Sequence, residues 1–322
     1  MAIDLKKIRY FVAVFEEGSF TRAARRENVV QPALSVQITQ LERELTVKLL
    51  ERSAQGIRPT LAGERYYRFC TDLLRSLDAA TQEMRDLSGR VTGLVRIGVM
   101  PSICHGPLVS VLDRYLTLYP GVELRLMEGF SGTIAEAVAN GQLDLAVCNR
   151  PVPNTKLTYR HLVSDRLILI SGAAKTLPRW KPIRLDAVPD LKLVLPFPIH
   201  AQRRLLDEHM TTGAIAPARI LEIDGISASL NFVRASDWSI LLPTIAIMNE
   251  VRSRNLVFNP VAHPVLASEI YEMHPSDAPL TLPAQRFVEM LQEGLARIPD
   301  RLGKLDRTYR PTDIAIAHSE KR

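Results

Sequence analysis

The stretch that decides the fold of the amino-terminal region reads FTRAARRENVVQPALSVQITQLEREL and covers residues 20–45. Ser19 can cap a short helix over 20–27, because a serine hydroxyl accepts the free amide hydrogens of a first helical turn. After a turn at 28–30, Pro32 can open a second helix, since a proline in the first turn lacks an N–H that would have had no partner. At helical spacing, this second helix separates an apolar face from an outward face. The apolar face holds Leu34, Ile38, Leu41 and Leu45, and the outward face holds Pro32, Val36, Thr39 and Arg43.

A preceding helix over residues 4–17 completes a small core. Gly18 can end this helix in a left-handed conformation. Its apolar positions are Leu5, Ile8, Phe11, Val12 and Phe15. Three such helices are typical of a helix-turn-helix unit, in which the second helix of the pair meets base edges in a DNA groove. An ordinary helical hairpin has the same spacing, so the pattern alone leaves both interpretations open.

The residues themselves resemble the amino-terminal domain of LysR-type transcriptional regulators. The resemblance is specific over roughly the first sixty residues and looser over the rest of the chain. It rests on the runs GSFTRAA at 18–24 and QPALS at 31–35 and on a set of further positions. These are Gln37, Ile38, Leu41, Glu42, Glu44, Leu45, Lys48, Leu49, Glu51, Arg52, Thr60, Ala62, Gly63 and Glu64.

Five positions depart from the pattern of that family. The family usually has Leu, Ser or Thr, Arg, Gly and Phe at the positions that here hold Glu27, Val30, Val36, Thr46 and Leu50. Val30 removes a side-chain cap from the second helix. Val36 replaces an arginine expected to read bases with a methyl-bearing surface. The family resemblance therefore does not determine the operator preference of this chain.

The expected DNA contacts combine the second helix with a short wing that follows it. Gln55 and Gly56 have turn chemistry, and Arg52 and Arg58 are placed to reach phosphates beside the groove. Two solvated arginines are the alternative interpretation of this pair. The full set expected to contact double-stranded DNA is Gln31, Pro32, Ser35, Val36, Thr39, Arg52 and Arg58.

Composition excludes several other classes of protein. The 322 residues, 46% of them hydrophobic, are enough for a small domain and a larger one. We find no signal-peptide pattern and no apolar run near ~18 residues, so we expect a cytoplasmic protein without a membrane partner. Three cysteines without Cys-x-x-Cys spacing argue against a disulfide framework and against structural zinc. A net charge of +6 and a pI near 9.3 favour a polyanionic partner.

A long helix is predicted from Thr60 to about Leu87. Its apolar residues alternate spacings of four and three, which is the heptad pattern of a coiled coil. They are Tyr66, Cys70, Leu73, Leu77, Ala80, Met84 and Leu87. Such a stripe often packs on its own domain, but the flanks here are so polar that a second copy of the helix is the favoured cover. We therefore predict a homodimer or homotetramer, as in the family resembled, held by Tyr66, Leu73, Leu77 and Met84.

Beyond Gly89 and Gly93, short apolar strands alternate with helices, which is the pattern of an α/β domain. Strands are predicted at 94–100, 122–128, 143–149, 157–163, 166–171, 192–195, 219–223, 239–242, 256–259 and 268–273. Helices are predicted at 108–119, 134–140, 202–209, 226–235, 245–252 and 284–297. The resemblance implies two subdomains joined by crossover strands, as in periplasmic solute-binding proteins, with a ligand between them. Subdomain I would combine 94–162 with 269–298, and subdomain II would be the stretch between.

The predicted fold class is therefore mixed, α+β with α/β. A winged helix-turn-helix domain is expected at 1–60, a linker and dimerisation helix at 61–88 and an effector-binding domain at 93–300. Residues 301–322 are expected to form a tail, and the polar stretch from Asp300 onward is most simply loosely ordered.

Candidate effector-binding residues lie where predicted strands end and helices begin, because ligands of open α/β sheets bind there and helix amino termini attract anions. Taken singly, Ser102, Thr133 and Thr244 are better explained as helix caps. Their convergence at corresponding strand ends favours a small organic anion held by Ser102, Thr133 and Arg203. The full candidate set is Ser102, Ile103, Ser131, Thr133, Asn149, His200, Arg203, Ile226 and Thr244.

Enzymatic interpretations have little support in the sequence. Cys104 and His105 are adjacent, and adjacent side chains do not readily form a nucleophile and base pair. Asp207, Glu208 and His209 point in different directions on one helix, so they cannot bind a metal together as they stand. The sequence contains no glycine-rich phosphate loop with its lysine. We expect neither catalysis nor a cofactor.

The sequence thus predicts a sequence-specific transcriptional regulator whose operator binding is modulated by a small-molecule effector. Double-stranded DNA and the effector are its expected partners, and RNA polymerase is a possible further one. The first alternative is a repressor of the same family without a functional ligand cleft. The second is a hydrolytic enzyme with a DNA-binding head, which would need turnover that depends on Cys104.

Overall fold

A computed structural model describes residues 4–53, 56–87, 89–149 and 154–305. The chain divides into an amino-terminal unit, to which residues up to Met84 and the short segment Asn140–Gln142 belong, and a carboxy-terminal unit that comprises the other residues from Arg85 onward. Within the described residues, no helix is both long enough and apolar enough to cross a membrane.

The amino-terminal unit consists of four helices and one hairpin. The helices are α1 (Leu5–Glu17), α2 (Phe20–Arg26), α3 (Gln31–Leu45) and α4 (Leu61–Asp86), and the hairpin pairs β1 (Leu50–Ser53) with β2 (Gly56–Pro59) in antiparallel register. This arrangement confirms the predicted winged helix-turn-helix followed by a long helix. The core of this unit contains fully buried side chains from α1, α2 and α3 and from the residue that precedes β1. Among them are Phe11, Ala23, Leu34, Leu41 and Leu49.

The helix ends follow the local chemistry of the sequence. The Ser19 hydroxyl accepts a hydrogen bond from the backbone amide of Arg22 at 3.4 Å, and Gly18 adopts a φ of +58°. The Thr60 hydroxyl accepts from the amide of Gly63 at 3.0 Å and so caps α4. Val30 makes no side-chain cap at the start of α3, as its missing hydroxyl predicted.

The apolar stripe of α4 is divided between two environments. Tyr66 and Cys70 pack into the core of the amino-terminal unit, together with Tyr67 and Leu74. The ring of Tyr66 lies 5.3 Å from that of Phe11. Tyr66, which is half-buried, and Cys70, which is buried, therefore have packing partners within their own unit, and the contact of Tyr66 with a second copy of the chain stays a prediction.

The carboxy-terminal unit alternates strands and helices, as predicted. Its strands are β3 (Gly93–Val99), β4 (Val122–Glu128), β5 (Leu145–Asn149), β6 (Leu157–Gly172), β7 (Ile183–Arg184), β8 (Lys192–Leu195), β9 (Arg219–Glu222), β10 (Ser239–Pro243), β11 (Leu256–His263) and β12 (Ala267–Pro275). Its helices are α5 (Pro101–His105), α6 (Leu108–Leu118), α7 (Ser131–Ala139), α8 (Ala201–Thr211), α9 (Ile226–Arg234), α10 (Leu282–Ala296) and α11 (Ile298–Leu305).

The sheet order shows how two subdomains share one chain. The order is β4-β3-β5-β12-β6-β10-β8-β9, with β11 paired to β6. Strand β6 pairs with β12 through residues 157–166 and with β10 through 167–171, so it belongs to both halves. Strands β3, β4 and β5 are parallel to one another, as are β8, β9 and β10. The carboxyl ends of both parallel sets lie at the boundary between the halves, and this confirms the predicted two-subdomain plan.

Four expectations about the elements were wrong. The strands predicted at 157–163 and 166–171 form the single strand β6, and α5 was not foreseen as a helix. The helix predicted at 245–252 is a short 3-10 helix at Thr244–Ile247. In the turn that follows it, the carbonyls of Val251 and Ser253 accept hydrogen bonds from the guanidinium of Arg179. The predicted tail begins inside α11, where Leu302 is fully buried in the core. Residues 306–322 lie outside the described residues.

Candidate functional site

Helix α3 presents one continuous face to solvent. Leu34, Ile38 and Leu41 are buried against the core, whereas Val36 is 54% exposed. Ser35 and Thr39 are half-buried, and the Thr39 hydroxyl donates to the Ser35 carbonyl at 3.0 Å. The exposed residues of the face are Gln31, Pro32, Ala33, Val36, Gln40 and Arg43.

Three of these exposed residues, Ala33, Gln40 and Arg43, were not among the predicted contacts, although their helical spacing could have revealed them. Ala33 and Gln40 lie on the same side as Val36, about one turn away from it in each direction. Gln31, Pro32 and Val36 have the exposure that the predicted contacts require, and Ser35 and Thr39 flank them at the edge of the face.

The wing is tied to the helix pair by its backbone. The amide of Ile57 donates to the carbonyl of Gly18 at 3.3 Å, which joins β2 to the turn between α1 and α2. Gly56 adopts a φ of +124°, a conformation that side chains rarely permit. Arg58 is exposed on β2, whereas the side chain of Arg52 and residues 54–55 lie outside the described part of the structure.

Four exposed apolar side chains on one side of α4 form what we call the linker stripe, defined as Phe69, Leu73, Leu77 and Met84. Their exposed fractions are 71%, 49%, 37% and 62%. Phe69 was missed in the sequence because it lies one position before the heptad residue Cys70. Four large apolar side chains in water along one helix are the mark of an interaction surface.

The carboxyl ends of β3, β4 and β5 bring part of the effector set to one edge of subdomain I. Ser102 is buried in α5, and Ile103 is fully buried in the hydrophobic core. Ser131 opens α7 and Thr133 is exposed in its first turn. Ser102 and Thr133 thus lie at the starts of helices that follow adjacent strands, whereas Ile103 has a packing role.

Two of the proposed polar contacts already have partners within the chain. The amide nitrogen of Asn149 donates to the Ser268 hydroxyl at 2.6 Å. The hydroxyl of Thr244 donates to the carboxylate of Asp165 on β6, which also accepts from the amide of Ile245 at 2.9 Å. Burial raises the pKa of Asp165 to about 6. Thr244 therefore links strand β6, which carries Asp165, to the 3-10 helix that begins at Thr244 itself.

Arg203 is also occupied by neighbouring groups of subdomain II. Its guanidinium donates to Asp207 at 2.7 Å, to Glu222 at 2.6 Å and to the carbonyl of Pro196 at 2.9 Å. Only 11% of the side chain is exposed. Two carboxylates thus already compensate the charge that was predicted to hold an anion.

His200 lies at the contact between the two subdomains. Its Nε2 forms a hydrogen bond of 2.7 Å with Asp224, and its ring lies 3.8 Å from that of Phe130, which precedes α7 of subdomain I. A second bridge joins His105 Nε2 of α5 to the Ser227 hydroxyl of α9 at 3.3 Å. Ser227 follows Ile226, the half-buried residue with which α9 begins. Phe130, Asp224 and His105 were absent from the predicted set, because nothing local in the sequence indicates contacts across a cleft.

The backbones of the two subdomains also come close together at Gly106, which follows α5. A side chain at Gly106 would meet the carbonyl oxygen of Ile245 at 2.3 Å. The Asn249 amide donates to the His105 carbonyl at 3.1 Å. The end of α5 is therefore held directly against subdomain II, near the carboxylate of Asp165.

The cysteines do not have the chemistry of reactive thiols. Burial raises the pKa of Cys104 to about 12, and the carboxylate of Glu128 contributes to this shift. Burial likewise raises the pKa of Cys70 and of Cys148 to about 12. Because the thiolate is the nucleophile, these protonated thiols argue against a hydrolytic role for Cys104.

Comparison with known proteins decides the family. Residues 5–64 match the family model described as bacterial regulatory helix-turn-helix protein, lysR family, and residues 88–296 match the LysR substrate binding domain. The chain belongs to the LysR family. It is a DNA-binding transcriptional regulator that joins a helix-turn-helix head to an effector-binding domain, as the resemblance in the sequence implied.

Related members of the LysR family extend over nearly the whole chain. The regulator BenM of Acinetobacter baylyi is 28% identical over 84% of this chain and 89% of its own length. A full-length OxyR variant from Pseudomonas aeruginosa is structurally similar, with a TM-score of 0.71, 22% identity and complete coverage of both chains. CbnR in complex with its target DNA has a TM-score of 0.53 at 21% identity and covers 91% of this chain and 99% of that one. These two structures show the fold.

Proposed function

We propose that this LysR-family regulator reads its operator with the outer face of α3 and holds the DNA backbone with the wing. The observation that carries the proposal is the division of α3 into a buried apolar face and an exposed face centred on Val36. In helix-turn-helix proteins the second helix of the pair enters the major groove. The DNA-bound state of a similar structure, CbnR, supports the same use of the fold.

The chemistry of the α3 face suggests how bases are discriminated. The methyl groups of Val36 can contact the methyl group of a thymine, and Gln31 and Gln40 can bond base edges. Arg52 and Arg58 serve phosphates, which position the protein but carry no direct sequence information. The operator preference would then depend on α3, whereas the overall affinity would depend on both elements.

We further propose that the linker stripe is covered by a second copy of the chain. Two paired α4 helices would place two heads at a fixed separation, so that each reads one half of an operator. A homodimer is the simplest such assembly, and a homotetramer would join two of them. Contact with RNA polymerase and a cytosolic location belong to the same proposal, since the partner is chromosomal DNA.

For the effector, we propose a small organic molecule bound at the facing helix starts of the two subdomains. Ser102 and Thr133 remain the proposed polar contacts on subdomain I. Because Arg203 is paired with two carboxylates, an anionic group would rely mainly on helix amino termini and hydroxyls for its binding. A ligand that binds one geometry of the subdomains better than another would shift their equilibrium and thereby the spacing of the heads.

A titration of full-length protein with operator DNA tests both halves of this proposal. Fluorescence anisotropy is recorded at several salt concentrations, alone and with organic acids that raise the thermal midpoint in a prior screen. We expect an acid that stabilises the protein to change operator affinity. Stabilising compounds that leave operator affinity unchanged would contradict the proposed coupling.

A further inference from the structure

A buried carboxylate joins the inner side of α3 to the first strand of the wing. Glu42 is only 7% exposed, although it belongs to a helix whose next residue, Arg43, is exposed. Its Oε1 accepts hydrogen bonds from the backbone amides of Leu49 at 3.0 Å and Leu50 at 3.2 Å. Its Oε2 pairs with the Lys48 ammonium at 2.5 Å. One side chain of α3 thus binds three consecutive residues where β1 begins.

These bonds satisfy donors that would otherwise lack partners. The residues Leu49 and Leu50 are buried, and a buried amide without an acceptor destabilises a structure more than an ordinary hydrogen bond stabilises it. A carboxylate is also a stronger acceptor than a neutral group. Glu42 therefore fixes the position of residues 49–50, at the start of β1, relative to α3.

The opposite side of the same segment is fixed by the start of α4. The Thr60 hydroxyl donates to the Lys48 carbonyl at 2.7 Å, and the Thr60 amide donates to the Leu49 carbonyl at 2.9 Å. A side chain at Gly63 would meet the Leu49 carbonyl oxygen at 2.0 Å, so only glycine permits this approach. Lys48 and Leu49 are thus held by α4 through their carbonyls, and Leu49 is held by Glu42 through its amide.

We propose that Glu42 is a positioning residue for DNA recognition, which sets the wing relative to the recognition helix through the amides of Leu49 and Leu50. The residue itself does not touch DNA. It acts through Arg58, which lies directly opposite Glu51 in the hairpin that these bonds anchor. The inference rests on the proposed use of the wing as a phosphate contact.

Three variants separate the positioning role from general stability. Glu42→Met removes both acceptors and keeps an unbranched side chain, and we expect a loss of operator affinity of about tenfold. Glu42→Gln keeps one oxygen for the two amides and gives up only the pairing with Lys48, so its affinity should stay within about threefold of wild type. Glu44→Met is the matched control, since Glu44 lies on the same helix but pairs with Lys7 of α1 at 2.5 Å. The control should bind operator as wild type does.

A double-mutant cycle with Arg58→Ala gives a readout that a loss of stability alone would not move. In wild type we expect Arg58→Ala to weaken operator binding about tenfold. With Glu42→Met already present, the same change should weaken binding less than about threefold, because a displaced wing no longer places Arg58 at a phosphate. If Glu42→Met does not fold by circular dichroism, Glu42→Asp replaces it, since this carboxylate is one methylene too short to reach the amides.

The outcomes distinguish the inference from the function on which it rests. An equal effect of Arg58→Ala in both backgrounds, or equal affinities of Glu42→Met and Glu44→Met, would overturn the role of Glu42 and leave the wing contact intact. Absence of any effect of Arg58→Ala in wild type would reject the wing contact and, with it, the route assigned to Glu42.

Discussion

The exposed ring of Phe69 gives the most quantitative prediction for assembly. Phe69 has the largest exposed fraction of the linker stripe, and the proposed dimer would cover it with a second α4 helix. Phe69→Ala removes this apolar surface without adding a charge. Because alanine is a better helix former than phenylalanine, α4 itself should not be weakened by the change.

The magnitude follows from the area that is accessible in the single chain. Full burial of a phenylalanine side chain contributes about 1.5–3 kcal/mol. Since 71% of Phe69 is exposed, its burial in a dimer should contribute about 1–2 kcal/mol per chain. A symmetric dimer contains the change twice, so its dissociation constant should rise roughly 30- to 1,000-fold.

Sedimentation velocity over a dilution series measures that constant directly. Val265→Ala is the control, because Val265 is 57% exposed in the turn between β11 and β12 and is not part of the stripe. The control should assemble as wild type does. A dimer of unchanged affinity in Phe69→Ala would show that the linker stripe is not the interface.

Two further predictions concern the carboxy-terminal unit. Burial raises the pKa of Asp165 to about 6 from 3.8, so its contribution to stability is complete below about pH 4 and is lost as the pH rises through about 6. The free energy of unfolding of wild type, relative to that of Asp165→Asn, should fall by about 3 kcal/mol across this range. Unfolding can be followed by the fluorescence of Trp180 and Trp238, both of which lie in this unit. Ser102→Ala should weaken the binding of a stabilising ligand by about 0.5–1.5 kcal/mol in calorimetry and leave DNA affinity without ligand unchanged; unaltered ligand binding would remove Ser102 from the site.

Much of the fold follows from local pattern. The three helices of the head, the cap of α2 at Ser19, the cap of α4 at Thr60 and most strands of the sheet can be predicted, because periodicity and capping act within a few residues of one another. The exposed side of α3 is predictable for the same reason. Even the missing cap at Val30 is evident from its side chain.

The features that could not be predicted from the sequence are contacts between residues that are distant along the chain. The guanidinium of Arg203 pairs with Glu222, nineteen positions away along the chain. The hydroxyl of Thr244 donates a hydrogen bond to Asp165 on strand β6. Tyr66 satisfies the heptad spacing but packs on Phe11, because α1 happens to cover that part of α4. A periodic stripe therefore predicts that a face will be covered without predicting which surface covers it.

Selection of duplexes from a random-sequence pool by the full-length protein tests the central claim most directly. Wild type should enrich a defined operator, and Val36→Asp should bind that operator about 10- to 100-fold more weakly while Val265→Asp retains wild-type affinity. Loss of enrichment in Val36→Asp, with binding to unrelated duplexes reduced far less, is the result that recognition by α3 predicts. Enrichment of the same operator by Val36→Asp at unchanged affinity would contradict it.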